Sequence, residues 1–148
     1  MKNVVVFDLD GTIALIEHRR HFVEGKGKKK NWRKFFEACV DDPPNEPIIE
    51  VLRSLHRTEH EIWISSGRSD EVREQTVRWL QAHEVPYHQL IMRHAGDFSP
   101  DDELKRSWLV RGIIPKERVL LVFDDRDKVV AMWRREGLTC AQVAPGNF

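Results

Sequence analysis

The sequence of 148 residues lacks several features that would place it in a familiar class. No apolar run is long enough to span a bilayer, and the chain enters a strand pattern at once, so we expect neither a transmembrane helix nor a secretion signal. Only two cysteines occur, Cys39 and Cys140, far apart and outside any metal-binding spacing. Reduced thiols and a cytoplasmic location are therefore expected. The histidines also lack metal-ligand spacing, which argues against a zinc site.

Charge of one sign is not in excess either, because 24 Lys and Arg residues balance 24 Asp and Glu residues. This balance argues against broad non-specific adhesion to nucleic acid. The distribution is uneven, however, since residues 18–34 hold eight Lys or Arg and a single acid, Glu24. This basic cluster, with the biased run Lys26–Lys30, predicts either a solvated loop or an anion-attracting lobe beside a pocket.

Strand and helix patterns alternate from end to end, and the length suits one domain with a real core. Such repeated units predict an α/β, Rossmann-like fold with a parallel sheet and helices on both faces. Residues 15–46 are the exception, which we interpret as a small helical cap inserted after the first strand of a single domain over residues 1–148. Strands are expected at residues 2–7, 61–65, 88–92, 119–123 and 139–143, and helices are expected to begin near Asn31, Pro47, Ser69, Ser99 and Arg126.

Reactive side chains follow three of the predicted strands. Asp8 and Asp10 follow the first, Ser66-Gly67-Arg68 follows the second, and Asp124-Asp125 follows the fourth. The carboxyl ends of parallel strands lie at one edge of a sheet, and ligands bind there in open α/β folds. These motifs are therefore predicted to converge.

These residue types suit phosphoryl transfer. One carboxylate can attack phosphorus to form an aspartyl phosphate, while a second protonates the leaving oxygen and then activates water. Several carboxylates can hold Mg²⁺, which offsets repulsion between an anionic nucleophile and an anionic substrate. Arg68 and a lysine would stabilise the transferring group. The alternative of a calcium-binding EF-hand is disfavoured, because no glutamate completes the loop at the required spacing.

Together the motifs resemble those of the haloacid dehalogenase (HAD) superfamily. The resemblance lies in D-L-D-G-T at Asp8–Thr12, S-G-R at Ser66–Arg68, Lys105 in a later helix, and the acidic pair Asp124–Asp125. It is closer still to the 3′-phosphatase domain of phage polynucleotide kinase–phosphatases. That likeness covers nearly the whole chain and is weakest over the cap. It implies the strand order 5-4-1-2-3, with Asp8 on the central strand.

The resemblance also implies a role for each candidate site residue. Asp8 would be the nucleophile and Asp10 the general acid/base, while Lys105 would contact the phosphoryl group and neutralise Asp8. The metal, Mg²⁺, would be held by Asp8, the Asp10 carbonyl, Asp124 and Asp125. The phosphate and the rest of the substrate would be contacted by Ser66, Gly67, Arg68, Arg19 and Asp101.

The leading expectation is a Mg²⁺-dependent phosphomonoesterase acting on nucleic acid 3′ ends, with no membrane association, no obligate protein partner, and a host-cytoplasmic location if it is phage-encoded. A deoxynucleoside 5′-monophosphate phosphatase and a non-catalytic nucleic-acid-binding module stay open as alternatives. A kinase half is not expected, since the sequence has no G-x-x-x-x-G-K-[ST] loop. A signalling receiver is disfavoured because it would carry its acidic pair after the first strand. Trp32 and Phe35 could stack a base, but their spacing favours the cap's own apolar face.

Overall fold

The computed structural model, which describes residues 1–25 and 29–148, contains a five-stranded sheet in the order β3-β2-β1-β4-β5. All the strand pairings within this sheet are parallel. The order is the predicted 5-4-1-2-3 counted from the other edge, so that prediction is confirmed. The strands are β1 Val4–Phe7, β2 Glu61–Ser69, β3 Gln89–Arg93, β4 Val119–Asp124 and β5 Cys140–Gln142.

The central strand β1 owes its place to an uninterrupted apolar run. All its residues are completely buried, as expected of a parallel strand that is covered on both faces. Phe7 stacks on Phe123 of β4, with ring centroids 4.7 Å apart. The next backbone amide, that of Asp8, donates to the Phe123 carbonyl at 2.9 Å. Asp8 therefore emerges from the middle of the sheet in a fixed direction.

Helices cover both faces of the sheet, as predicted. Alternate residues of β1 face opposite sides. Val5 and Phe7 join one apolar core with side chains of α2 and α3, whereas Val4 and Val6 join a second core with side chains of α4 and α5. The helices are α1 Trp32–Glu37, α2 Glu46–Arg57, α3 Arg73–Ala82, α4 Asp101–Val110 and α5 Asp127–Arg135.

Strand β2 runs further than the predicted residues 61–65. Its pairing with β3 is regular as far as Ser66 and then shifts before Ser69. Within this irregular end, the Arg68 amide donates to Ser66 Oγ at 3.1 Å. The S-G-R motif therefore lies in the distorted last part of a strand rather than in a loop after it.

The described part of residues 15–46 contains short helices at Glu17–Phe22, Trp32–Glu37 and Ala38–Asp41 and none of the sheet's strands. Asn31 caps α1, since its side chain accepts from the Lys34 amide at 3.1 Å. The role of this segment as a cap within one domain stays a prediction, and the predicted basic run Lys26–Lys30 lies partly outside the described residues, which omit 26–28. A third apolar cluster holds the segment together through Ile16, Val23 and Phe35.

Both cysteines are buried free thiols. Burial raises the pKa of Cys39 and raises that of Cys140 to about 12, so both side chains are held as unreactive thiols. In the described ranges, no helix is long and apolar enough to cross a membrane.

The core assignment can be tested with Ile62→Ala. Ile62 of β2 is completely buried, so its truncation should leave a cavity and lower the free energy of unfolding by about 2–5 kcal/mol. The matched control is Val51→Ala on α2, where the side chain is 41% exposed and the change should stay within about 0.5 kcal/mol. Urea denaturation measures both, and equal losses would contradict the burial of Ile62.

Candidate active site

The predicted motifs meet at the carboxyl end of β1. Lys105 of α4 donates to Asp8 Oδ1 at 2.7 Å and to Asp124 Oδ2 at 3.2 Å. Thr12 Oγ1 lies 3.3 Å from Asp8 Oδ2 and 3.5 Å from Asp125 Oδ1. The structure thus brings together Asp8, Lys105, Asp124 and Asp125, whose chemical roles stay predictions.

Three buried carboxylates form a candidate metal site, which we call the acidic trio. Asp8, Asp124 and Asp125 each place an oxygen within 4.8 Å of the others. The Lys105 ammonium contacts two of them and supplies one positive charge against three acidic groups. Carboxylate oxygens are the ligands that Mg²⁺ prefers, so the donor set and its excess of acid fit a hard divalent cation. The additional contact predicted for the Asp10 carbonyl stays a prediction.

Asp124 is oriented from both sides. Its Oδ2 accepts from Lys105 and from Trp133 Nε1, the latter at 3.1 Å, while its Oδ1 accepts from the Asp125 amide at 2.8 Å. Such outer hydrogen bonds fix the direction of a metal-binding carboxylate. Sequence reasoning missed this use of Trp133, because a tryptophan on the inner face of a helix predicts only packing.

Two members of the acidic trio, Asp8 and Asp125, have raised pKa values. Burial, and then repulsion from Asp124, raises the pKa of Asp8 well above its ordinary value, although Lys105 opposes both. Burial and the same neighbour raise the pKa of Asp125 to about 7. Additional positive charge at the trio would favour the ionised form of both groups.

Two glycines allow carboxylates to approach the backbone. Gly11 has a positive φ of 84°, and a Cβ there would lie 2.0 Å from Asp125 Oδ2. A Cβ on Gly67 would lie 2.4 Å from Asp101 Oδ1. A side chain at Gly11 would be strained by its φ and would displace Asp125, and one at Gly67 would displace the Asp101 carboxylate, whereas the predicted phosphate contact of Gly67 stays a prediction.

Asp10 pairs with two completely buried arginines. Its Oδ1 accepts from Arg19 Nη2 at 2.7 Å and from Arg68 Nε at 2.8 Å. Burial alone would raise the pKa of Asp10, but the two guanidinium groups outweigh it and lower that pKa to about 2. Asp10 is therefore ionised at neutral pH, whereas the pKa values of Asp8 and Asp125 are raised.

Asp42 completes this second cluster, and sequence reasoning missed it. Its carboxylate accepts from Arg19 Nε and Nη2, both at 2.7 Å, and from Arg68 Nη2 at 3.0 Å. His18 Nε2 lies 2.6 Å from Asp42 Oδ1. Buried Asp42 and partly buried Asp10 thus face two buried guanidinium groups, which is what makes burial of these charges tolerable. In the sequence Asp42 looks like its exposed neighbour Asp41, ahead of two prolines that predict only a chain break.

Every nitrogen of the Arg19 and Arg68 guanidinium groups donates to a protein group. Arg19 Nη1 donates to the Phe35 carbonyl at 3.0 Å, and Arg68 Nη1 donates to Thr76 Oγ1 at 3.0 Å. The remaining nitrogens of both groups donate to Asp10 or Asp42. The structure therefore assigns them to holding Asp10, and their predicted contact with substrate stays a prediction.

The last two predicted residues have different surroundings. Ser66 is buried, and its hydroxyl oxygen accepts from the Arg68 amide. Its contact with phosphate also stays a prediction. Asp101 accepts from Arg93 Nη2 at 2.7 Å and lies 3.1 Å from Arg126 Nη1. Arg126 directly follows the predicted acidic pair Asp124–Asp125 in the sequence, whereas Arg93 belongs to no predicted motif and only the fold brings it to the site.

Comparison with known proteins relates nearly the whole chain to one family. The family described as the polynucleotide kinase PNKP phosphatase domain matches residues 2–148. A protein of Autographa californica nuclear polyhedrosis virus, named as a bifunctional polynucleotide kinase/RNA ligase, is 30% identical over 132 residues, covering 88% of this chain and 17% of the viral protein. A chain of the Pnkp1/Rnl/Hen1 RNA repair complex superimposes with a TM-score of 0.83 at 32% identity, covering 98% of this chain and 43% of that one.

More distant structures share the fold alone. CbbY from Rhodobacter sphaeroides, solved in complex with phosphate, gives a TM-score of 0.66 at 17% identity and covers 100% of this chain and 88% of its own. The chain spans less than half of the two more similar relatives, one of which was solved within a complex. The absence of an obligate protein partner therefore stays a prediction.

Asp42→Asn tests the second cluster. The change leaves two buried guanidinium groups short of a counter-charge, so the free energy of unfolding should fall by roughly 3–5 kcal/mol. Asp41→Asn, at the exposed neighbouring position, is the matched control and should change it by less than about 0.5 kcal/mol. Urea denaturation compares the two, and a small, equal effect would show that Asp42 does not balance the arginines.

The acidic trio predicts a pH dependence of stability in a chelating buffer. Asp8 and Asp125 have folded pKa values above their ordinary 3.8, so the folded state binds more protons and stability should fall as pH rises from about 4 to about 7. Asp10, with its lowered pKa, loses its contribution only when pH falls from about 4 towards about 2. Asp125→Asn should flatten the fall measured by urea denaturation, whereas Asp41→Asn should not. A wild-type curve that rises over this window would refute the assignment.

Proposed function

Because the chain belongs to the polynucleotide kinase PNKP phosphatase domain family, we propose that it is a Mg²⁺-dependent phosphomonoesterase that removes the terminal phosphate from nucleic acid 3′ ends. The observation that carries the proposal is the pairing of the acidic trio with a separately ion-paired Asp10. Asp8, Asp10, Asp124 and Asp125 all line one cavity of about 540 Å³. A nucleophile, a cation site and a proton carrier thus share one space.

Asp8 is the proposed nucleophile. One of its carboxylate oxygens bonds to phosphorus while the bond from phosphorus to the sugar oxygen breaks, which gives an aspartyl phosphate. Lys105, at 2.7 Å from Oδ1, opposes the burial that raises the pKa of Asp8 and holds the carboxylate in place. Thr12 contacts the other oxygen and fixes the rotation of the group.

Asp10 is the proposed proton carrier. Arg19 and Arg68 keep it ionised in the free protein, which suits the second half of the reaction, when it takes a proton from the water that attacks the aspartyl phosphate. In the first half it must be protonated so that it can give its proton to the leaving sugar oxygen. The anionic phosphate of an arriving substrate would raise the pKa of Asp10 and favour that proton.

Asp8, Asp124 and Asp125, with the Asp10 carbonyl, are the proposed ligands of Mg²⁺. When bound, the ion supplies positive charge that favours ionised carboxylates and offsets the charge of the substrate phosphate. Lys105 cannot do this alone, because its single charge is already shared between Asp8 and Asp124. Ser66 and the Gly67 backbone are proposed to contact the phosphoryl oxygens.

The choice of a nucleic acid end as substrate draws support from the relatives and from the cavity. The viral relative is named as a polynucleotide kinase/RNA ligase, and the structural relative belongs to an RNA repair complex. Basic side chains of the described residues, Lys30, Arg33 and Lys128, line the same cavity as the aspartates. These groups would attract a phosphodiester chain that leads to the reacting phosphate.

The test is phosphate release from a panel of substrates with Mg²⁺ present. Release should be fastest from a single-stranded oligonucleotide carrying a 3′-phosphate, compared with 3′- and 5′-mononucleotides, and should stop when the cation is chelated. Asp8→Asn should lower the rate by at least about 10³-fold because the nucleophile is lost. Glu117→Gln, at an exposed acid in the 3₁₀ turn Lys116–Arg118, is the matched control and should leave the rate unchanged.

Different outcomes would refute different parts of the proposal. Release from 5′-mononucleotides without release from the oligonucleotide would establish the 5′-nucleotidase alternative. Unchanged activity of Asp8→Asn would remove the covalent mechanism. A wild-type protein that binds the oligonucleotide but releases phosphate from no substrate would establish the non-catalytic binding module.

A further inference from the structure

The loop between β3 and α4 presents an exposed phenylalanine at the active-site cavity. Phe98 is 91% exposed and lines the same cavity as Asp8 and Asp10. Burying such a side chain would stabilise a fold by about 1.5–3 kcal/mol, and this one is left in water. Single exposed apolar residues are common, however, so the surroundings of Phe98 must decide its meaning.

The backbone on both sides of Phe98 is fixed by hydrogen bonds. Arg93 Nη1 donates to the carbonyls of Asp97 and Ser99, at 3.1 and 2.6 Å. The Asp97 carboxylate accepts from the Ser99 amide and hydroxyl, at 2.9 and 2.6 Å. The ring is therefore held out from an ordered turn, so a ligand that contacts it orders little additional chain.

The same arginine ties this turn to the reacting centre. Arg93 Nε donates to the Gly67 carbonyl at 2.8 Å, and its Nη2 donates to Asp101 Oδ1 at 2.7 Å. Gly67 belongs to the proposed phosphate-binding segment. The position of Phe98 is thus fixed relative to the place where the substrate phosphate would lie.

Aromatic and basic groups of the cap contribute to the same cavity. Trp32 and Phe36, whose ring centroids are 5.9 Å apart, line it together with Lys30, whose ammonium lies 5.6 Å from the Trp32 ring. Phe35 also lines the cavity, but it is buried and its ring faces the Arg19 guanidinium at 4.3 Å. Exposed aromatic rings beside basic groups are the usual means of binding single-stranded nucleic acid.

We propose that Phe98 stacks on the base of the 3′-terminal nucleotide of a single-stranded polynucleotide while the terminal phosphate lies at Asp8. This assignment rests on the proposed function, because it places the base of the substrate of that same site. A phenyl ring stacks on any base, so the contact gives affinity for a nucleotide end without a preference for its sequence.

Phe98→Ala tests the contact on two matched substrates. One is a single-stranded oligonucleotide with a 3′-phosphate, and the other is the same oligonucleotide with a tetrahydrofuran abasic residue in place of its last nucleoside. The variant should raise KM for the first substrate about five-fold or more, with kcat little changed, and should leave KM for the abasic substrate unchanged. Phe98→Trp should have the wild-type KM for the first substrate, because an indole ring also stacks on a base.

Val110→Ala is the matched control, since Val110 is 65% exposed at the end of α4 and is absent from the residues that line the cavity. It should change neither KM. Equal effects of Phe98→Ala on the KM of both substrates, or no effect on either, would overturn the stacking contact. The proposed function would still stand in that case if the wild-type protein releases phosphate from the oligonucleotide. Wild-type hydrolysis of p-nitrophenyl phosphate without hydrolysis of either oligonucleotide would overturn the proposed substrate and the stacking contact together.

Discussion

Neutralisation of buried charge at the end of the central strand is the constraint on which the rest of the structure depends. One cluster consists of Asp8, Asp124, Asp125 and Lys105, and the other consists of Asp10, Asp42, Arg19 and Arg68. Buried charges are tolerated only when they are paired. Arg19 and Asp42 come from the cap segment and Arg68 from β2, so the ion pairs that set the protonation of Asp10 also join this segment to the sheet.

The two clusters differ in how completely their charges are balanced, and this difference separates their chemistry. The acidic trio has more acid than base, so burial and repulsion from Asp124 raise the pKa of Asp125 to about 7, and this excess of acid suits a cation site. In the second cluster two aspartates meet two arginines, and the pKa of Asp10 falls to about 2. Asp8 and Asp10 are only two residues apart in sequence, yet the pKa of Asp8 is raised and that of Asp10 is lowered. The difference arises because their charged partners come from different parts of the fold.

The sheet and the meeting of the motifs could be predicted because they depend on local patterns. The apolar run of β1 and the rule that parallel strands share a carboxyl edge were enough to place Asp8 near Asp124. The partners of Arg19 could not be predicted in the same way. An aspartate before two prolines gives no sign of burial in the sequence. Only the packing of the fold shows that Asp42 is buried whereas Asp41 is exposed. The position of Phe98 likewise depends on Arg93, which belongs to no motif.

The ion pair between Arg19 and Asp42 affects how the length and sequence of the segment between them can change in evolution. These residues stand at the two ends of the segment 20–41, and their side chains meet at 2.7 Å, so the segment leaves and returns at one fixed point. The entropy cost of closing a loop grows only slowly with its length. Insertions and deletions between the two ends can therefore change the surface of this segment without moving Asp10, which Arg19 holds. Recognition and chemistry can evolve at separate rates within one small chain.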